Sequence, residues 1–397
     1  MEILAEVFKG VLYFGHGDNW KALIMYLIGG LLIFLAVKFE YEPALLLPIG
    51  FGAILVNLPF NVVGRVTNLF GIETAEVGFL EILREAGIST ELFPILIFIA
   101  IGAMIDFTPL FKNPFMIFFG AAAQFGIFAT FLLCLWLLPT FFGIHGDEAL
   151  KLSAAVGIIG AADGPTTIYV GNYFNLVKYM GPISVAAYSY MSLVPIIQPP
   201  IIKLLTSKKE RKIRMDYFEE KVPKVVKILF PIVVTIVAGV LVPMSAPLVG
   251  SLMFGNLIRE SGVLERLSQS AQNELANLVT LLLGITIGST MLADRFIDPI
   301  TALIMGLGLL AFIFDTAGGV LFAKFLNLFL KKKINPMIGA AGISAFPMSA
   351  RVVQKIAKEE DPTNFILMQA ISSNVSGQLG SIIAGGLVIA LVSMFVN

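Results

Sequence analysis

The chain has 397 residues with 27 basic and 27 acidic side chains, a formal charge of zero that leaves no global field to attract nucleic acid or an acidic partner. Hydrophobic residues make up 57% and charged residues 14%, against ~25% charged in soluble domains, and the mean hydropathy is +0.89, so the sequence reads as an all-α polytopic membrane protein. One cysteine, Cys134, and two widely separated histidines, His16 and His145, exclude a disulfide scaffold, a zinc site and Cys/His catalysis. Neither a Walker phosphate-binding sequence nor a Met-Lys-Met biotinylation site occurs, so a pump built on this chain draws its energy from elsewhere.

Residues 1–20 lack a basic leader and a small-residue cleavage site, and are expected to stay as an interfacial or helical segment. Apolar runs approaching the ~20 residues of a membrane crossing follow at 22–37, 44–58, 93–105, 114–138 and 183–202. A basic loop, 203–227, comes next, with nine basic residues against four acidic ones, which the positive-inside rule places in the cytoplasm. Five more runs lie at 228–242, 246–258, 276–291, 300–323 and 377–396. Four crossings beyond the loop, Lys331 to Lys333 fall on the cytoplasmic side by parity, in agreement with the loop.

The sequence also repeats itself. "IGAADGPT" from Ile159 aligns with "IGAAGISA" from Ile338, "LREAGI" from Leu83 with "IRESGV" from Ile258, and "IGAM" from Ile101 with "IGST" from Ile287, in the same order. Five crossings per repeat is an odd number, so the halves, 21–202 and 228–397, are expected to have inverted topology. The 17 residues between Lys333 and Arg351, broken by proline and glycine, are too few to cross and return, and predict a re-entrant hairpin. Its counterpart carries Asp163, and the two tips are expected to meet near the midplane. Irregular backbone at that depth is tolerated where it is buried or lines a cavity, which makes the hairpins the candidate site.

Asp163 stands in "IGAADGPTTIYV", next to two helix breakers. A carboxylate at bilayer depth costs ~2.5–3.5 kcal/mol on insertion scales, and Gly164 and Pro165 are expected to leave backbone carbonyls free around it. Asn335, Ser344, Asn374, Tyr188 and Tyr190 are the polar residues that could complete an oxygen-rich pocket; these ligand types suit sodium, and a lone carboxylate also suits a proton. Competing readings are a helix-capping acid for Asp163, a cap for Asn335, interfacial belt residues for the tyrosines, and a positive-inside anchor for Arg351, whose guanidinium fork otherwise suits an incoming carboxylate. Asp106, Asp294, Asp298 and the run Glu359–Glu360–Asp361 are expected to be solvated, Gly318 and Gly319 to pack helices, and Asp315 has no assigned role.

The stretches "IGAMIDFTPLFKNP", "GAADGPTTIY", "AAYSYMSLVPIIQPPI", "FDTAGGVLFAKFLN", "INPMIGAAGISAFPMSARVVQK" and "NVSGQLGS" resemble the beta subunit of the sodium-translocating, biotin-dependent decarboxylases, from about residue 80 onward. The resemblance implies decarboxylation of carboxybiotin delivered by a partner, with uptake of a proton and export of sodium. It assigns sodium to Asp163, Asn335, Gly339, Ser344 and Asn374, a catalytic role to Tyr190 alongside Asp163, and carboxybiotin binding to Arg351. It further implies an elevator-like scaffold and core, a homotrimer, a biotin-bearing alpha subunit and a small gamma subunit in the inner membrane, with the C-terminus outside. A sodium- or proton-coupled transporter of an organic anion is the alternative reading; a purely structural subunit is disfavoured by the buried carboxylate and paired hairpins.

Overall fold

A computed structural model describes residues 9–61, 63, 77–215 and 221–396. The first eight residues of the expected N-terminal segment and residues 216–220 of the basic loop lie outside the described residues.

The described chain is helical, as a bilayer demands of backbone that cannot find water. In chain order the principal helices are α1 (Lys21–Phe39), α2 (Pro43–Val56), α3 (Phe79–Ser89), α4 (Leu92–Met104), α5 (Pro114–Phe142), α6 (Gly146–Ile158), α7 (Gly164–Tyr173), α8 (Met180–Ser192), α9 (Val194–Leu205), α10 (Lys224–Leu241), α11 (Ala246–Ser261), α12 (Ala276–Ser289), α13 (Pro299–Phe329), α14 (Met348–Glu360) and α15 (Leu367–Ser393). Five of them, α1, α5, α10, α13 and α15, are long and apolar enough to cross a membrane, and two bent pairs bring the total to seven, so this is a multi-pass membrane protein. The bent pairs are α3 with α4 (61°) and α8 with α9 (68°). The apolar run expected as one crossing over 183–202 is therefore broken at Leu193. Pro195 follows the break and cannot donate to the preceding turn.

Helices in lipid gain no hydrophobic energy from one another and associate through close packing. Among the crossings made backbone to backbone, two join α4 to α11 and α2 to α12. At α4 against α11, a side chain on Gly102 would put its Cβ 1.8 Å from the Leu252 carbonyl oxygen, and one on Gly255 2.0 Å from that of Ile99. At α2 against α12, the same holds for Gly52 (2.4 Å from Ile285 O) and Gly288 (2.2 Å from Ile49 O). α15 runs through the interior with 72% of its apolar window buried, whereas α10 has 11% buried and turns Val233, Ile236, Val237 and Val240 outward.

Two irregular segments interrupt this packing. The first runs α6, a single 3-10 turn (Ile159–Ala161), Ala162 in the left-handed region at φ 53°, Asp163, then α7. The second comprises a four-residue helix, Met337–Ala340, a non-helical stretch through Phe346 and Pro347, then α14. They touch tip to tip: the Ser344 amide donates to the Ala161 carbonyl at 2.9 Å.

Candidate functional site

Asp163 stands where the two irregular segments meet α15, and is 3% exposed. It caps the start of α7, one carboxylate oxygen accepting the Thr166 amide at 3.1 Å, so the capping reading holds for that oxygen. The other oxygen does something a cap does not need. It accepts the hydroxyls of Thr166 (2.7 Å), Ser381 of α15 (2.7 Å) and Ser344 of the second segment (3.3 Å), with the Gln378 amide nitrogen at 3.5 Å. One carboxylate oxygen thus gathers side chains from three separate parts of the chain. Hydroxyls donating to a carboxylate present their own lone pairs to any cation that takes the protons' place. The cluster therefore has the chemistry of a hard, oxygen-preferring ion.

A cavity of about 270 Å³ reaches this cluster; Asp163, Pro165, Tyr188, Ser344 and Gln378 line its inner part. Tyr188 lies flat against the helix start, since a Cβ on Gly164 would fall 2.3 Å from its ring, and its hydroxyl is buried without a hydrogen-bond partner among the described residues. Tyr190 points elsewhere: its hydroxyl donates to the Met305 carbonyl of α13 at 2.6 Å.

The remaining residues singled out from the sequence divide into those at this cluster and those beside it. Asn374 is adjacent: its amide donates to the Ile343 carbonyl at 2.7 Å, one residue from Ser344, and its own oxygen is buried without a partner among the described residues. Asn335 sits at the far end of the second segment. Its side chain donates to the carbonyls of Arg211 (3.0 Å) and Ile213 (2.9 Å) in the basic loop and accepts the Met337 amide at 3.1 Å. Gly339 is a packing position, where an added Cβ would sit 2.0 Å from the Gly319 carbonyl oxygen of α13. Asp315, at the middle of α13, is fully buried and accepts the Ile127 amide at 3.2 Å, where α5 is interrupted at Gln124. Glycines at 126 and 160 make room for it: a Cβ at either would come within 2.5 or 2.7 Å of a carboxylate oxygen. Asp298 caps α13 through the Ile300 amide at 2.7 Å, and Asp106 accepts the Thr108 amide at 2.8 Å.

Arg351 is exposed on α14 and shares one face with exposed Lys355 and Lys358, as their four- and three-residue spacings require; all three line a shallow groove. The acids at the end of the same helix are not free in solvent as expected. Lys203 holds Glu359 (2.9 Å), Arg211 holds Glu360 (2.6 Å) and Arg214 holds Asp361 (2.8 Å), fastening the basic loop to the second segment. Hydrogen bonds from Thr363 and Arg214 hold the Asp361 carboxyl down at about 2. With the acids committed, the exposed face of α14 is left cationic.

Thr166, Gln378 and Ser381 complete the Asp163 cluster and were not picked out from the sequence. Only the polarity of "NVSGQLGS", within a helix otherwise fit to be buried, pointed toward two of them.

Comparison with known proteins bears on this geometry. The family model described as the Na+-transporting oxaloacetate decarboxylase beta subunit matches residues 21–392. The chain is 48% identical over 385 residues to the methylmalonyl-CoA decarboxylase subunit beta of Veillonella parvula, covering 97% of this chain and 96% of that one. It is 46% identical over 389 residues to the methylmalonyl-CoA decarboxylase subunit beta of Propionigenium modestum (95% and 96% covered), and 44% identical over 428 residues to the oxaloacetate decarboxylase beta chain of Klebsiella pneumoniae (96% and 97%).

Proposed function

The chain belongs to the family of Na+-transporting decarboxylase beta subunits, and from that premise we propose that Asp163 is the sodium seat of a pump driven by cleavage of carboxybiotin. The chain is the decarboxylating, sodium-translocating subunit of a multi-subunit decarboxylase. The observation that carries the proposal is the Asp163 oxygen that accepts hydroxyls from α7, α15 and the second irregular segment.

In this reading a biotin-bearing alpha subunit brings carboxybiotin to the cationic face of α14, where the Arg351 fork pairs with its carboxylate. The bond between the carboxyl carbon and the biotin nitrogen breaks, carbon dioxide leaves, and the nitrogen takes a proton, so one proton is consumed for each carboxyl released. The loss of the carboxylate removes the partner of Arg351. Sodium on Asp163 is held by the hydroxyls of Ser344, Ser381 and Thr166, with Asn374 close by and the Gln378 amide nitrogen turned to the carboxylate. Because Ser344 belongs to the segment that ends at Arg351, a shift of that segment alters the sodium seat directly. Tyr188, which lines the Asp163 cavity and whose buried hydroxyl has no partner among the described residues, is the tyrosine that works beside Asp163; Tyr190 steadies α8 on α13. Asn335 and Gly339 act on the seat through the second segment, one holding it to the basic loop and the other seating it on α13.

Moving one charge against 100 mV requires about 2.3 kcal/mol, which an irreversible decarboxylation can supply. The halves 21–202 and 228–397 are read as inverted repeats. The support is reciprocal: Gly102 and Gly288, aligned in the "IGAM" and "IGST" matches, each form a backbone crossing with a helix of the other half. The larger arrangement is an elevator-like scaffold and core in a homotrimer of the inner membrane, with the basic loop cytoplasmic, the C-terminus outside, and alpha and gamma subunits as partners.

The test is sodium-22 uptake into inverted vesicles carrying the chain with its biotin-bearing partners. Uptake that begins with decarboxylation and stops with avidin is the expected result. Sodium-coupled movement of an organic anion, indifferent to avidin, overturns it.

A further inference from the structure

The cavity at Asp163 has an acid at its other end as well. Glu42 lines it, in the short connection between α1 and α2, a part of the chain where the sequence offered no candidate residue. Glu42 is partly exposed, Asp163 almost completely buried, so the cavity leads from a charged mouth to a charged floor. The rest of the polar lining is neutral, with the amides of Gln272, Asn277 and Gln378 and the hydroxyls of Thr280 and Ser344. No lysine or arginine lines the cavity among the described residues.

The backbone at Glu42 is held at φ 37°, in the left-handed region that non-glycine residues seldom occupy. A strained residue persists when its surroundings over-determine it, and here the strain places a carboxylate at the mouth of the cavity. Burial pushes its carboxyl up and the positive field of Arg351 pulls it back, and Met348, in the first turn of the helix that carries Arg351, lines the same cavity.

A low-dielectric cleft carrying one sign of charge concentrates counter-ions within it. We propose that Glu42 is a cation-recruiting site at the mouth of the Asp163 cavity, drawing sodium in from the face that carries Arg351 and passing it along neutral oxygens to the floor. The inference rests on Asp163 as the sodium seat. The division of labour is between collecting and holding: Glu42 raises the local concentration of sodium, and Asp163 binds it.

The experiment compares Glu42→Gln and Glu42→Asp with the unaltered chain by two readouts. One is the sodium half-saturation of decarboxylation by the assembled holoenzyme, at low ionic strength and with added choline chloride. The other is the thermal stabilisation of the purified chain by sodium chloride, which needs no biotin. Glu42→Gln is expected to raise the sodium half-saturation about three- to tenfold, with the rate recovered at high sodium and the difference shrinking as choline chloride screens the charge. Glu42→Asp is expected to stay near the unaltered value. An unchanged half-saturation overturns the proposal, as does a loss of maximal rate that sodium does not restore. A half-saturation for carboxylated biotin that falls while that for sodium stays put also overturns it, because Glu42 then serves Arg351. If thermal stabilisation shifts in Glu42→Gln while uptake ignores avidin, the recruiting site stands and the decarboxylation-driven reading falls.

Discussion

Two buried aspartates, Asp163 and Asp315, lie in apolar surroundings and resemble each other in the sequence, each followed by small residues and a threonine. Their partners are opposite in kind. Asp315 accepts a backbone amide with one oxygen where α5 restarts after its interruption, its other oxygen being buried without a partner among the described residues, with glycines cleared on both sides to admit it. Asp163 spends one oxygen on a cap and the other on side-chain hydroxyls from distant parts of the chain, at the end of a cavity. Fixed amides at a helix start make a permanent counter-charge for a carboxylate; hydroxyls on rotatable bonds can turn from donor to ligand. The contrast separates a carboxylate that holds the fold from one that can exchange a partner.

The contrast breaks most visibly at Asp163→Asn. At an effective dielectric of about 20, a unit charge in contact with a cation is worth several kcal/mol, so sodium uptake and decarboxylation are expected to fall by at least ~100-fold, measured on equal amounts of folded protein. Asp315→Asn is expected to leave sodium half-saturation within about twofold, since it retains an acceptor for the amide. Asp315→Leu removes one of two acceptors of that amide, which also donates to the Gln124 carbonyl at 3.2 Å, at a cost of about 1 kcal/mol; the expected result is a slightly lower thermal midpoint in detergent with sodium stabilisation still present. A loss of sodium response in Asp315→Asn would erase the distinction.

Smaller effects sharpen it. Ser381→Ala removes the 2.7 Å hydroxyl from Asp163 and Ser344→Ala the 3.3 Å one; with a hydrogen bond worth ~1 kcal/mol, the first is expected to raise sodium half-saturation about fivefold and the second less. The tyrosines give the crossed result. Tyr190→Phe removes the hydroxyl's bond to the Met305 carbonyl and is expected to cost about 1 kcal/mol of stability with little change in sodium response. Tyr188→Phe leaves no protein partner unpaired, so stability is expected to hold while turnover falls. The smallest effect concerns the loop. The Asp361 carboxyl is held down at about 2 from an ordinary 3.8, so its contribution is complete above the ordinary value and fades as pH drops through about 2. Hydrogen exchange of residues 208–215 is expected to be steady at pH 5 and to quicken as pH falls below about 4.

Much of this was legible because charge in an apolar sequence is conspicuous. Asp163 stood out beside Gly164 and Pro165, and the proline-broken 17 residues before Arg351 marked the second irregular segment, whereas of the ten crossings expected from run lengths only five helices, or seven with the bent pairs, are long and apolar enough among the described residues. The bend at Leu193 was missed because the apolar run continues through it; Pro195, two residues on, was the signal in the sequence that marked it. Thr166 and Ser381 were missed for a different reason. A hydroxyl in a helix can bond back to its own backbone, as Thr286 does to Leu282, and periodicity does not say which hydroxyl reaches across to another element. Glu359 is exposed as expected, and the pairing of Glu359, Glu360 and Asp361 with the basic loop was hidden because their cations lie about 150 residues earlier in the chain. Glu42 was hidden among ordinary boundary charges, its place at a cavity mouth fixed by helices distant in sequence.

The glycine crossings of α4 with α11 and α2 with α12 have a historical consequence under the inverted-repeat reading. Each crossing takes one helix from each half, and the two aligned glycines, Gly102 and Gly288, never meet each other but each meet a helix from the opposite half. In a half-length ancestor inserted in both orientations, the aligned helices α4 and α12 would be one helix, meeting a helix of the oppositely oriented copy in each case. Fusion of two gene copies would then have freed each crossing to vary alone, which allows one half to keep the aspartate while the other keeps the arginine.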